Sequence, residues 1–372
     1  MTDSLDALET PAAIVDLDRM ERNLVRAADY AREHAISLRP HVKTHKSPRV
    51  AAEQLRLGAE GVTCATPREA EVMSEVCGDI LLAYPPVGRL RAERLVSLPH
   101  AVTLTVALDS ERALRDIADA ARAADRAVGV YVEVDVGMHR VGLPSVPDAI
   151  VLAKLAQSQA PLEFRGIAFY PGHVREKVGE QDAALAELDA ALIRARRAFD
   201  HAGVPASVIS GGSTPTMWRT HELSAVTEFR PGTYVYNDRT TAEIGACAWD
   251  DCAFTVLATV ISTAVPGQAV IDAGTKSLGR EPVRGAAGEG FGVLLDRREV
   301  TVSRMSEEHG ILDISRSAWK PHVGERVRVI PNHVCISVHL NDMVHGVRGE
   351  TVETQWAVAA RGRESGALDL GA

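Results

Sequence analysis

Between about residue 18 and residue 235 the chain repeats one unit, a short apolar, β-branched run followed by a helical pattern. The runs are Ile36–Val42, Gly61–Ala65, Ile80–Tyr84, Val102–Leu108, Val128–Asp135, Phe164–Tyr170, Ser207–Ser210 and Val226–Phe229, eight candidate strands. The first helix reads from Asp18 to His34, with Met20, Leu24, Ala27 and Ala31 at helical spacing. Thr66-Pro67-Arg68-Glu69 carries a Thr cap, Pro at the first helical position and an acid in the first turn. Asp109-Ser110-Glu111 opens the next Ala-rich helix in the same way. Eight strands alternating with helices over about 200 residues predict a (β/α)₈ TIM barrel in the α/β class. A doubly wound open sheet has the same alternation, and periodicity does not separate the two.

Past about residue 245 the texture changes. Thr255–Ser262, Gln268–Asp272, Val300–Ser303, Arg326–Ile330 and Val334–Leu340 are short and β-like, punctuated by Gly and Pro. The division expected is a barrel over residues 10–240 and a C-terminal, mostly β domain over 241–372, with residues 1–9 free to pack on it. The tail Gly362–Ala372 reads as frayed. A formal net charge of −9 is the wrong sign for a general nucleic-acid binder. No apolar run approaches the roughly 18 residues of a membrane span, and the N-terminus lacks the basic start and apolar core of a signal peptide. Five cysteines, too few and odd in number for a disulfide framework, point to a reducing cytoplasm.

Lysine is scarce. Of 41 basic residues only Lys43, Lys46, Lys154, Lys177, Lys276 and Lys320 are lysines, and two fall in His41-Val42-Lys43-Thr44-His45-Lys46. A lysine kept where the chain otherwise uses arginine suits a task arginine cannot perform, such as losing a proton and condensing with an aldehyde. Read as the end of the first barrel strand, the hexapeptide puts His41, Lys43 and His45 on one face. Barrel active sites lie at that end, and burial near other cations would make Lys43 a nucleophile. The plain alternative is a surface turn of solvated basic residues. Lys276, in Asp272-Ala273-Gly274-Thr275-Lys276, is a weaker candidate for the same role.

Ser210-Gly211-Gly212-Ser213-Thr214-Pro215-Thr216 ends one strand, and Arg230-Pro231-Gly232-Thr233-Tyr234-Val235-Tyr236 ends the next. Glycines let backbone N–H groups approach a phosphate, and the loops after the last two strands are where barrels hold one. In Glu133-Val134-Asp135-Val136-Gly137-Met138-His139-Arg140-Val141-Gly142, Arg140 either orients a ligand's oxygens or pairs with Glu133 or Asp135. Tyr170-Pro171-Gly172-His173 also ends a strand, its tyrosine a stacking group or a lid residue. In Pro331-Asn332-His333-Val334-Cys335, His333 and Cys335 at i and i+2 would share a strand face as two ligands of a borderline-soft metal. Two ligands suit an open ion; the alternative is a core cysteine beside a hydrogen-bonded histidine.

In this order, RPHVKTHK, EVDVGMHRVG, YPGH, SGGSTPT, RPGTYVYND and PNHVC resemble the D-threonine aldolase and D-serine dehydratase family, within the alanine-racemase-like (fold-type III) pyridoxal 5′-phosphate (PLP) enzymes. The resemblance covers nearly the whole chain from Thr10-Pro11-Ala12. It implies a PLP-bearing barrel, a C-terminal β domain, a divalent metal beside the cofactor and a homodimer with active sites near the interface. Lys43 matches the family's Schiff-base lysine, Arg140 the arginine near the PLP phenolic oxygen, and Tyr170 a tyrosine close to the cofactor. Gly211, Gly212 and Ser213, with Gly232, Thr233 and Tyr236, match the phosphate cradle. His333 and Cys335 match the metal pair. Aldolase-type members often read His-x-Asp there and dehydratase-type members His-x-Cys, so Cys335 points to a dehydratase. A thiolate favours Zn²⁺ over the Mn²⁺ or Mg²⁺ that a carboxylate tolerates.

The activity implied is a lyase acting on a small β-hydroxy D-amino acid. In the dehydratase route Lys43 takes the Cα proton and the β-hydroxyl leaves, ending in a keto acid and ammonia. In the aldolase route a base, for which His173 is the candidate, removes the β-hydroxyl proton and the Cα–Cβ bond breaks to glycine and an aldehyde. A non-catalytic PLP-binding protein of this type would lack the C-terminal β domain. A racemase would need a second proton donor, usually a β-domain tyrosine, and no tyrosine follows Tyr236.

Overall fold

Each of the eight expected barrel runs overlaps a strand, and every pairing among them is parallel. In the computed structural model, which describes residues 3–283 and 290–363, the strands are Ser37–Leu38, Val62–Cys64, Asp79–Leu82, Thr103–Leu108, Val128–Glu133, Leu162–Ala168, Val208–Gly211 and Glu228–Phe229. The order runs from Ser37–Leu38 through Glu228–Phe229 and back stepwise to Val62–Cys64. A lone parallel bridge from His41 to Thr63, with Val42 N–H donating to Thr63 O at 2.9 Å, joins the two ends into a ring. The ring is the (β/α)₈ barrel, not the open sheet. The first strand is shorter than the run Ile36–Val42 because Pro40 has no N–H to give the ladder. Helices start where the caps predicted: Thr66 Oγ1 accepts from Glu69 N–H at 3.2 Å, and Ser110 Oγ from Ala113 N–H at 3.4 Å.

The chain clusters into two units. The barrel unit comprises residues 28–174 and 181–232 with the described residues from Ala359 onward; the β unit comprises the described residues within 1–27, 175–180 and 233–358. In the barrel unit the strand Val128–Glu133 is buried along its whole length. The barrel interior also carries charge. Arg39 Nε bonds Glu228 at 2.6 Å and its Nη1 bonds Asp79 at 2.8 Å, while Ser210 Oγ donates to Glu228 at 2.5 Å. Buried charges persist when paired and hydrogen-bonded in this way.

In the β unit Phe254–Ser262 is the central strand. It pairs antiparallel with Gln268–Ile271 and with Arg326–Pro331. Through Gly310–Asp313, Thr301–Met305 and Gly292–Leu294 these close a six-stranded antiparallel ring. Ala12–Asp16 pairs with the same central strand, Val15 opposite Phe254. Met343–Arg348, Thr351–Ala357 and Asp3–Ser4 extend the sheet from there. Ala12–Asp16 falls in the stretch that the sequence divided off as barrel, since position along a chain does not say which strand a strand will meet. The run Val334–Leu340, read as a strand, is a helix. An apolar run of that length fits either period, and its buried Val334, Cys335, Ser337 and Val338 trace a helical face. Of the expected tail, residues beyond Arg363 lie outside the described residues. No described helix is long and apolar enough to cross a membrane.

Candidate active site

The loop after the first barrel strand separates its two lysines. Past the His41 bridge, residues 42–45 form a turn rather than strand, and Lys46 N–H donates to Val42 O at 2.7 Å. The expected alternation of His41, Lys43 and His45 along a strand face is therefore corrected: the backbone coils as soon as the ladder ends. The Lys46 ammonium is buried on Glu69, whose second oxygen accepts from Ala65 N–H at 2.6 Å. Among the described residues no carboxylate pairs with Lys43. Its Nζ lies 5.8 Å from the centre of the Tyr170 ring. Burial, reinforced by Lys43, Arg230 and Lys46, drives His41 well below the usual imidazole range, so it sits neutral beside the amine. His45 is also neutral: burial pushes it down to about 3, and its Nδ1 accepts from Ser47 N–H at 3.1 Å.

Tyr170 gathers a second cation. Arg140 Cζ stands 4.7 Å from the same ring centre, within cation–π range. The ring lies so close over Gly172 that a Cβ there would come within 2.2 Å of it, so only glycine fits. Among the described residues no ion pair ties Arg140 to Glu133 or Asp135. Asp135 instead accepts from the N–H groups of Gly137 and His139, each at 3.0 Å, and contacts His139 Nδ1 at 2.7 Å. Glu133 is buried and its carboxyl raised by that burial. His173 is exposed, with its ring against Gly137.

The strand Val208–Gly211 runs into a short 3-10 helix, Thr214–Glu222, through Gly212 and Ser213. Gly212 takes φ +101°, in the region that favours glycine, at the turn between strand and helix. Ser213 is buried, with its hydroxyl 3.1 Å from that of Thr216. Arg230 was quoted within a motif but given no role. Its buried guanidinium donates from Nη2 to Phe169 O at 2.9 Å and to Ser210 O at 3.2 Å, while its Nε has no partner among the described residues. It thereby holds the carbonyls immediately before Tyr170 and Gly211. A glycine turn with hydroxyls, an amine without a carboxylate and a ring flanked by cations fit a phosphorylated aromatic aldehyde such as PLP.

Gly232 belongs to the barrel unit, and Thr233 and Tyr236 to the β unit. Tyr236 is fully buried, its ring tilted against Phe254 at 6.0 Å. The Thr233 hydroxyl lies 3.8 Å from Cys335 Sγ. His333 is not on a strand; it is the extended N-cap residue of the helix Val334–Leu340, with Cys335 in the first turn. The two side chains are still close enough for Cys335 to act on the His333 charge. Burial opposes charge on His333, but Cys335 and Asp238 outweigh it and hold its pKa up to about 10.

Asp238, the last residue of the RPGTYVYND motif and without a role in the sequence reading, organises this corner. Its Oδ1 caps the helix Arg239–Glu243, accepting from Thr241 N–H at 2.9 Å. Its Oδ2 accepts from His333 Nδ1 and Val334 N–H, both at 3.1 Å. A histidine whose one nitrogen is held by a carboxylate has the other set for a metal. Among the described residues no three His, Cys, Asp or Glu gather as a ligand set. Two donors are too few for a closed structural site, which takes four ligands. Lys276 is exposed and paired with Glu308 at 2.7 Å.

Residues 15–240 match the family described as alanine racemase, N-terminal domain, and residues 253–347 the one described as putative serine dehydratase domain. A D-threo-3-hydroxyaspartate dehydratase of Delftia sp. is 36% identical over 355 residues, 90% of this chain and 93% of that protein. The crystal structure of D-threonine aldolase from Filomicrobium marinum superposes with a TM-score of 0.90 at 32% identity, covering 97% of each chain. A cysteine-to-alanine variant of a D-threo-3-hydroxyaspartate dehydratase, solved in a metal-free form, superposes with a TM-score of 0.85 at 30% identity, over 97% of this chain and 100% of that one.

Proposed function

This chain belongs to the family that joins an alanine racemase N-terminal domain to a putative serine dehydratase domain and is a PLP-dependent lyase of D-amino acids; we propose that it dehydrates a β-hydroxy D-amino acid to a keto acid and ammonia. The observation that carries this reading is the pairing of His333 with Cys335, a thiol where a carboxylate would mark the aldolase type, backed by Asp238. When bound, PLP supplies an electron sink for charge developing at Cα, and a divalent ion supplies a Lewis acid for the departing oxygen.

The residues divide the remaining work. Lys43 holds the cofactor and moves the Cα proton. Arg140 and Tyr170 fix the cofactor's ring, and Gly211, Gly212, Ser213 and Gly232 hold its phosphate, with Thr233 and Tyr236 following in the chain. His333 and Cys335 hold the ion, Zn²⁺ in preference to Mn²⁺ or Mg²⁺ because thiolate is a soft ligand. We place the protein in the cytoplasm, where free cysteines such as Cys335 stay reduced, and as a homodimer with active sites near the interface.

The likeness to D-threonine aldolase favours a second reading, retro-aldol cleavage to glycine and an aldehyde, with His173 as the base. One product assay separates the two. Protein loaded with PLP and Zn²⁺ is offered D-serine, D-threonine, D-phenylserine and D-threo-3-hydroxyaspartate. Keto acid and ammonia support dehydration; glycine and aldehyde would establish the aldolase and overturn the reading built on Cys335.

A further inference from the structure

The β unit contains a cavity of about 210 Å³ with a row of arginines along its wall. Arg326 and Arg328 stand two apart on the strand Arg326–Pro331, so they share a face, and Arg297 approaches from the loop after Gly292–Leu294. Leu257 and Leu294 supply apolar lining. None of these residues has a part in the cofactor or metal assignments, and the inference stands whether or not the reaction proposed above is correct.

The arginines are incompletely used by the protein. Arg326 gives its Nη groups to Asp6 O at 2.9 Å and Leu8 O at 2.5 Å, but its buried Nε has no partner among the described residues. Arg328 donates from Nε to Thr255 Oγ1 at 2.9 Å, and its two Nη groups have no protein partner among the described residues. Arg297 rests on Trp319, its Cζ 4.9 Å from the ring. Asp6, Asp296 and Glu350 also line the cavity, yet among the described residues no ion pair joins any of the three arginines to any of these carboxylates. Burial lowers the Arg328 pKa against the opposing pull of Asp16, Glu350 and Asp296, so its charge is partly stripped of water.

We propose that this cavity binds a small monocarboxylate, held end-on by the two Nη groups of Arg328 with Arg326 Nε and Arg297 alongside. A guanidinium with both Nη groups free matches a carboxylate's two oxygens. At about 30 Å³ per water, the volume holds roughly seven waters, the size of a ligand of a few heavy atoms. The carboxylates of Asp6, Asp296 and Glu350 set a limit on charge. They would repel a dianion such as phosphate and tolerate a single carboxylate.

Trp319 gives a readout local to the cavity. Holoenzyme is titrated with sodium propionate and, separately, with inorganic phosphate at constant ionic strength, following tryptophan fluorescence. The expected result is a saturable change with propionate that Trp319→Phe removes and that phosphate does not reproduce. In Arg328→Met the propionate affinity falls at least about tenfold, as losing a charge-assisted pair implies, while turnover without propionate is unchanged. Arg297→Gln, in a loop, makes the same comparison if Arg328→Met does not fold, with affinity again reduced. No saturable response, phosphate binding as tightly as propionate, or full affinity in whichever folded arginine variant is measured would each overturn the proposal.

Discussion

Replacing Asp238 by Asn tests the metal reading through a residue that would not touch the metal. The carboxylate is fully buried and accepts four hydrogen bonds, from Thr241 N–H and hydroxyl on Oδ1 and from His333 Nδ1 and Val334 N–H on Oδ2. An amide of the same shape can accept on one side only. The oxygen serves the two Thr241 donors, and its NH₂ then faces His333 and Val334, donor against donor. His333 loses the partner that fixes its tautomer and ring angle. Losses of this kind weaken metal binding about 10–100-fold, or roughly 1.4–2.7 kcal/mol. The unpaired Val334 N–H costs about 1–3 kcal/mol of fold stability in addition. Zn²⁺ affinity is measured at neutral pH against a chromophoric chelator, with urea unfolding of the metal-free protein run in parallel. A folded variant that binds Zn²⁺ as tightly as the parent would refute the orienting role of Asp238. If His333→Ala also bound Zn²⁺ as tightly as the parent, the pair would not be the metal site at all.

Three further outcomes follow from individual contacts. Lys43→Ala should abolish the absorbance band of lysine-linked cofactor while leaving the fold intact; an unchanged band would remove Lys43 from the site. Glu69→Gln should strand the buried Lys46 ammonium at a cost of about 3–5 kcal/mol, read as a lower urea midpoint, and a loss under about 1 kcal/mol would sink the claim that the pair is structural. His45 is neutral in the fold with a pKa near 3, below its unfolded value of about 6.5. Its contribution is therefore intact above about pH 6.5 and lost as pH falls toward 3, at up to about 1.4 kcal/mol per pH unit. His45→Asn should reduce the acid slope of stability by that amount, and equal slopes for variant and parent would contradict the burial argument.

The barrel was legible because its strands are mostly buried, Val128–Glu133 along its whole length, so they read as apolar runs with capped helices between. The β unit was less so. Ala12–Asp16 has the apolar look of any buried strand, and nothing in it encodes a partner more than two hundred residues away at Phe254–Leu257. Local pattern specifies an element; its neighbours are decided by packing. Val334–Leu340 failed for a related reason, since a seven-residue apolar run satisfies both periods.

The expected nearness of His333 and Cys335 does not depend on the element that carries them. His333 and Cys335 at i and i+2 would lie side by side on a strand; at a helix start, with His333 extended at the cap and Cys335 in the first turn, they are close as well. Lys43 likewise reaches Tyr170 from a turn and not from a strand face. Asp238 and Arg230 were invisible because their work is indirect. Each is an ordinary charged residue within one quoted motif, RPGTYVYND, and each acts on atoms far off in sequence: Arg230 on the carbonyls of Phe169 and Ser210, Asp238 on His333. A signal was present in the motif all the same. Asp before Arg-Thr-Thr reads as a helix cap, and a capping carboxylate has a second oxygen. Where that oxygen goes is decided by the fold, and here it goes to the histidine that the metal reading requires.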